Sequence, residues 1–399
     1  MIILAIETSC DDTGVAILDI QKNGKVKIVA DFVSSQNEIH APWGGVVPNL
    51  ATRAHYKNLP ILLEQVLGKV NAKKVDLIVV TNGPGLEPCL WAGINTARVL
   101  AKAMAKPIVG VNHLEGHIAA NWLKPIRGIT KSQIPISKKN PKSQILNSKK
   151  VLSFTFQVSR LFPAICLIVS GGHTQLVLME NLGKYKVIGQ TRDDAAGEAF
   201  DKVAKMLGLG YPGGPEIALK AKNSDSKAFK LPRPMISSND FDFSFSGLKT
   251  AVLYLLKTPV YRRDIKKQAS QGHFCERGTP PAPQIAKMSL ACLSSNYINN
   301  LCASFQQAVI DVLIDKTIKA AREYKVKTIM LAGGVAANKE LQKQMAHAAK
   351  TSNFQFLIPN LKYCADNAAM IGLAGYWKYT RQGKGDKINK IIAAANLNF

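Results

Sequence analysis

The sequence predicts an α/β protein of two RNase-H-like units, an actin-like, sugar-kinase-like (ASKHA) arrangement facing a nucleotide cleft. Two observations start that reading. The segments Ile6-Glu7-Thr8-Ser9-Cys10-Asp11-Asp12-Thr13-Gly14 and Ile168-Val169-Ser170-Gly171-Gly172-His173-Thr174 each interrupt apolar runs with small, hydroxyl-bearing and Gly residues. A strand ending this way presents backbone N–H groups and hydroxyls, which suits a phosphate. Two such ends in one chain suggest a nucleotide gripped from both sides. Leu331-Ala332-Gly333-Gly334-Val335 adds a third turn of the same kind.

The elements follow in order. Residues 2–6, 15–20 and 27–33 read as a meander of short strands, split by turns at 11–14 and 22–24. Residues 51–67 carry helical spacing of apolar positions. A β-branched run at 75–80 stops at Thr81-Asn82-Gly83-Pro84-Gly85, a helix is expected over 91–105, and 108–111 reads as a buried strand. The pattern then returns: strands at 164–169, 175–180 and 185–190, helices at 198–207 and near 304–324, a strand at 328–331 and a helix after Asn338. The helix at 366–380 is expected to pack back on the first unit. Residues 1–112 with about 366–399 therefore form one unit and 113–365 the other, with insertions at about 124–161 and 259–300. Neither insertion shows sustained periodicity, and both read as poorly ordered loops.

Bulk properties narrow the class. A chain of 399 residues with 47% hydrophobic content can build two or three cores. No apolar run approaches the roughly 18 residues needed to span a bilayer, and the opening run is too short for a signal core. Seven cysteines without a Cys-x-x-Cys pair argue against a disulfide framework. A cytoplasmic protein with no membrane association is the expectation. The net charge of +25 is uneven: residues 124–150 hold eight basic residues and no acid, and 259–303 hold six against two. Such a surface suits a polyanion through counterion release, although lysine-rich tracts are also ordinary solvated loops.

Three segments carry candidate chemistry. In Asn112-His113-Leu114-Glu115-Gly116-His117, a helix opening after the strand would put His113 and His117 one turn apart on one face. Glu115 lies at the wrong spacing for a zincin protease base. Cys364-Ala365-Asp366-Asn367 places a carboxylate where the last helix starts, as an N-cap or as a third ligand; two histidines and a carboxylate suit Fe(II) or Zn(II) with open positions. Asp193 to Lys202 is rich in acids, with Asp194, Glu198 and Asp201 expected on one helix face, and Tyr211-Pro212-Gly213-Gly214-Pro215 reads as a tight turn against a ribose or ring. His273, Cys275, Arg277 and Cys292 match no standard zinc spacing.

Taken together these segments resemble the tRNA N6-adenosine threonylcarbamoyltransferase family, TsaD in bacteria and formerly called glycoprotease. Further pieces are Gly44-Gly45-Val46-Val47-Pro48 and Phe243-Ser244-Phe245-Ser246-Gly247-Leu248-Lys249-Thr250. The resemblance runs from Met1 to about Thr380, outside the insertions. It implies transfer of the threonylcarbamoyl group of L-threonylcarbamoyladenylate to adenosine 37 of tRNAs reading codons that begin with A, releasing AMP. By position it implies His113, His117 and Asp366 as ligands of one divalent metal, Fe(II) before Zn(II). It puts Ile168, Val169, Ser170, Gly171 and Gly172 around the substrate's phosphate and carbamoyl region, and Asp201, Gly214 and Asn338 at ribose and adenine. Asp11 is the expected base for the exocyclic amine. The implied partners are tRNA, a paralogous TsaB-like subunit and a small TsaE-like ATPase. Asp12 stands where the family usually has Glu, and Asn82 departs from the family pattern before Gly83-Pro84-Gly85. An actin-like ATPase or kinase, a metalloprotease and a non-catalytic scaffold are the competing readings; the paired histidines and their spacing favour the transferase.

Overall fold

The computed structural model describes residues 1–22, 24–123, 160–257 and 295–399. Among the described residues ten strands form two five-stranded sheets. The first holds β1 (Ile2–Glu7), β2 (Asp12–Ile20), β3 (Val26–Ser35), β4 (Leu77–Gly83) and β5 (Ile108–Asn112), in the order β3-β2-β1-β4-β5. The second holds β6 (Ala164–Val169), β7 (Thr174–Asn181), β8 (Lys184–Gln190), β9 (Thr328–Ala332) and β10 (Gln355–Leu357), in the order β10-β9-β6-β7-β8. Counted from each sheet's own first strand, the two orders are the same. Each has an antiparallel meander of three strands followed by two parallel ones, the RNase-H-like pattern expected of a two-lobed ASKHA fold.

Strand alternation sorts the cores. Leu4, Ile6, Val15, Ile17, Ile78 and Val80 face one side of the first sheet, against α2 (Pro48–Leu67) and α3 (Glu87–Met104). Ile3, Ala5, Ala16, Leu18, Leu77 and Val79 face the other side, against the last helix. The remaining helices are α1 (Asn37–His40), α4 (His113–Ala119), α5 (Ala196–Met206), α6 (Gly213–Ala221), α7 (Ser246–Lys257), α8 (Ser295–Glu323), α9 (Lys339–Thr351) and α10 (Ala368–Gln382). In the second sheet Ile165, Leu167 and Val169 pack with Phe200 of α5 and Phe305 of α8, while Ala164, Cys166 and Ile168 pack with Leu114 and Ile118 of α4. With both faces of each sheet covered, β1 and β6 read as continuous apolar runs.

Several boundaries differ from the sequence reading. Residues 295–300, expected in a loop, open α8. The turn at 211–215 continues into α6, and α7 was not anticipated. Asp194 precedes α5 and so does not share its face with Glu198 and Asp201. Most of both expected insertions, with His273, Cys275, Arg277 and Cys292, lies outside the described residues.

Candidate metal centre and cleft

Strand β5 ends at Asn112, whose Oδ1 accepts from Leu114 N at 2.8 Å and caps α4. The helix therefore begins at His113, and His117 follows one turn later with the two rings edge to face at 4.6 Å. Across from them, Asn367 caps α10 by accepting from Met370 N at 2.9 Å. Asp366, one residue earlier, is left free to turn toward α4. Its Oδ1 lies 3.4 Å from His113 Nε2 and 3.2 Å from His117 Nε2. One donor atom from each of these three residues falls within 4.8 Å of the others. His113 and His117 are buried, 7% and 1% exposed. Burial would raise the Asp366 carboxyl, but the two histidines hold it well below its ordinary value. Burial opposes charge on both rings; the Asp366 and Glu7 carboxylates override it at His113, which is raised, whereas His117 stays lowered.

The other expected site residues gather around this centre to different degrees. Burial, then the Asp366 charge, raises Asp11 and pushes Asp12 up to about 7, and Asp12 Oδ1 is buried without a hydrogen bond. Asp201 accepts from Gly213 N at 2.7 Å and is raised by burial, with the Asp11 charge adding to it. Asp11 and Asp201 thus sit within electrostatic reach, one from each sheet's unit. The turn after β6 is closed by Ser170 N donating to His173 O at 2.8 Å, and Ser170 O accepts from Gly197 N at 3.2 Å. A Cβ on Gly171, Gly172 or Gly214 would meet nothing within 4 Å, so these positions border open space. Ile168 and Val169 are wholly buried in β6 and reach that space only through the backbone. His173 is lowered to about 4 by burial and by the nearby His113 and His117. Asn338 is differently employed: its Oδ1 caps α9 by accepting from Glu340 N and Leu341 N, and its Nδ2 donates to Gln306.

The family model for TsaD, tRNA N6-adenosine threonylcarbamoyltransferase, matches residues 27–135 and 146–373. The chain belongs to the TsaD family. A tRNA N6-adenosine threonylcarbamoyltransferase of Thermosipho africanus is 43% identical over 406 residues, covering all of both chains. One from Thermosipho melanesiensis is 42% identical over 401 residues, again covering both entirely. Among solved structures, the activator of 2-hydroxyisocaproyl-CoA dehydratase from Clostridium difficile aligns with a TM-score of 0.43 and 14% identity, over 97% of this chain and 99% of that one. Membership makes this chain a tRNA-modifying transferase.

The TsaD family implies a metal, and the donor set here fits one. His117 Nδ1 is buried without a hydrogen-bond partner, and Nε2 has only the Asp366 carboxylate, 3.2 Å away, beside it. Such orphaned atoms are costly unless something not hydrogen-bonded to them satisfies them. Two imidazoles and a carboxylate converging on one point suit a divalent cation with open positions.

The acidic segment of this TsaD chain has a structural use. Asp193 accepts from Ser244 Oγ, Ser246 Oγ and the amides of Phe245 and Ser246. Asp194 bridges Lys202 at 2.7 Å and Lys249 at 2.9 Å. Asp201 of the set feels the charge of Asp11 across the cleft. The residue that sequence reading passed over is Glu7, quoted in a motif but given no role. It is 0% exposed and lies 3.1 Å from His113 Nδ1. Its one signal was a carboxylate closing the otherwise apolar run of β1.

Proposed function

We propose that this chain transfers the threonylcarbamoyl group of L-threonylcarbamoyladenylate to N6 of adenosine 37 in tRNAs reading codons that begin with A, releasing AMP. The observation that carries the reading is the convergence of His113, His117 and Asp366 beside an open Ser170–Gly172 turn, with Asp11 and Asp201 near. An acyl-adenylate is already activated, so the protein's tasks are placement and charge stabilisation. The Ser170-Gly171-Gly172 turn offers its backbone to the phosphate and carbamoyl oxygens. Asp201, held by the amides of Gly213 and Gly214, would accept a further hydrogen bond from a ribose hydroxyl. As N6 attacks the carbamoyl carbon, the bond to the phosphate oxygen breaks, and AMP leaves with that electron pair. The N6 proton passes to Asp11, whose affinity for a proton is raised by burial and by the Asp366 charge. A divalent cation held by His113, His117 and Asp366, Fe(II) in preference to Zn(II), supplies Lewis acidity to the substrate oxygens when bound. The target base lies in a loop and can be splayed into the cleft without melting a duplex.

A TsaB-like paralogue and a TsaE-like ATPase complete the proposed assembly on tRNA. Residues 1–112 with about 366–399, and residues 113–365, are proposed as its two units. Among the described residues no helix is long and apolar enough to cross a membrane, in keeping with a proposed cytoplasmic setting. The test is single-turnover modification of a tRNA transcript that reads such codons, with purified partners and preformed adenylate, followed by nucleoside mass spectrometry. Wild type should give threonylcarbamoyladenosine, and His113→Ala should give none. No product from wild type, beside an active control enzyme, would remove the reading.

A further inference from the structure

Glu7 ends β1 at the junction of four elements. Its Oε1 accepts from Ser9 N at 2.5 Å, and its Oε2 accepts from Thr81 Oγ1 of β4 at 2.5 Å and lies 3.1 Å from His113 Nδ1 of α4. Its Cβ lies 3.4 Å from where a Cβ on Gly14 would stand, and that same position is 3.0 Å from Ala368 N at the start of α10. A backbone amide can only donate, so Oε1 must accept; with Glu7 ionised, Oε2 too can only accept, from the Thr81 hydroxyl and from His113. Nδ1 facing it must therefore carry a proton, because a bare Nδ1 would set two lone pairs against each other in a buried site. Ser9 Oγ, 3.1 Å from the same nitrogen, would tolerate either arrangement, since a hydroxyl donates or accepts. Glu7 alone makes the choice.

We propose that Glu7 is a positioning residue that fixes the His113 tautomer, keeping the proton on Nδ1 and leaving Nε2, the nitrogen facing Asp366, as the ligand atom. This rests on the metal reading of His113, His117 and Asp366. Partners of this kind set ring orientation and ligand basicity, and their loss typically weakens metal binding about 10–100-fold. Glu7→Gln makes a sharp prediction because a carboxamide has one accepting oxygen. That oxygen must serve the Ser9 amide, which cannot reverse. The NH2 group then faces Thr81 and His113; the threonine hydroxyl can turn, but Nδ1 must become an acceptor. The proton moves to Nε2, and the ligand atom is lost.

The experiment measures Zn(II) affinity of the full chain against a chromophoric chelator for wild type, Glu7→Gln, Thr81→Val and His117→Ala. It also records 15N spectra of the histidine rings in the zinc-loaded wild type. The expected result is one ion per wild-type chain, binding about 10–100-fold weaker in Glu7→Gln, near-native binding in Thr81→Val, and a protonated Nδ1 with metallated Nε2 at His113. Loss of binding in His117→Ala with native affinity in Glu7→Gln would overturn the proposal and leave the metal reading standing. Absence of any ion from wild type would overturn both. Where Glu7→Gln gives no cooperative melt, the wild-type ring spectrum decides alone: metallation of Nδ1 rejects the assignment.

Discussion

Asn367, rather than Asp366, caps the last helix, and this division of labour between neighbours makes the candidate centre possible. A capping aspartate would have its oxygens taken by backbone amides; here Asp366 keeps Oδ1 for the histidines. Asn367→Ala should cost about 1 kcal/mol of stability through the lost cap. It should also weaken metal binding, because Asp366 loses its fixed departure point; calorimetric melting and chelator competition would read the two effects. Gly197 tests the other side of the cleft. A Cβ there would stand 2.5 Å from Ser170 O and 2.9 Å from Gly171 Cα. Gly197→Ala should therefore displace the substrate-facing turn, destabilise by about 1–3 kcal/mol, and raise KM for the adenylate more than for tRNA. An unchanged KM for the adenylate would detach that turn from substrate binding. At this scale the sequence was legible where the chemistry is local. The His-x-x-x-His spacing needs only the helical period, so the pairing of His113 with His117 could be read directly. Glu7 could not be assigned, because its partners Thr81 and His113 are remote in the chain and meet only through sheet pairing. Asn338 is a different case: the family resemblance implied a contact to ribose or adenine, and its side chain also caps a helix.

Among elements, the junction of α5 and α7 depends on Asp193. Partial burial would raise its carboxyl, but the hydroxyls of Ser244 and Ser246 and the amides beside them outweigh that and hold it below its ordinary 3.8. Because the folded value is the lower one, its stabilisation is complete above the unfolded value and disappears as pH falls through the depressed one. Melting temperatures of wild type and Asp193→Asn should differ at about pH 6 and draw together as pH falls below the ordinary 3.8; a gap independent of pH would mean that the charge is irrelevant to the latch. The elements that sequence reading missed have separate causes. Gly213, Gly214 and Pro215 carry strong turn signals, yet Pro is tolerated in a first helical turn, so α6 starts within the motif. The opening of α8 contains Asn296, Asn299 and Asn300, poor helix formers. Tertiary contact overrides them: Tyr297 packs on Phe229 at 4.8 Å, and Asn300 accepts from Asp225 N. The meander strands, by contrast, were visible because apolar runs between turn residues need no distant partner to be recognised.

For the whole molecule, α4 is the piece that both units share. It carries His113 and His117 on one side, packs on α10, and inserts Leu114 and Ile118 among Ala164, Cys166 and Ile168 of the second sheet. Ile118 is 0% exposed. Ile118→Ala should cost about 2–5 kcal/mol and lower metal affinity as well, since the cavity it leaves lies one residue from His117. A stability loss with unchanged metal binding would show that the ligands are held independently of the packing between the sheets. The placement of α10 has a consequence for how the protein is made. It covers one face of a sheet whose strands all come from the first third of the chain, and Asp366 arrives just ahead of it. During synthesis that face has only the 119–123 segment against it until residues 368–382 have been made. A nascent chain stopped earlier carries both histidines but lacks Asp366, so on the proposed ligand set metal loading would follow the arrival of the last helix.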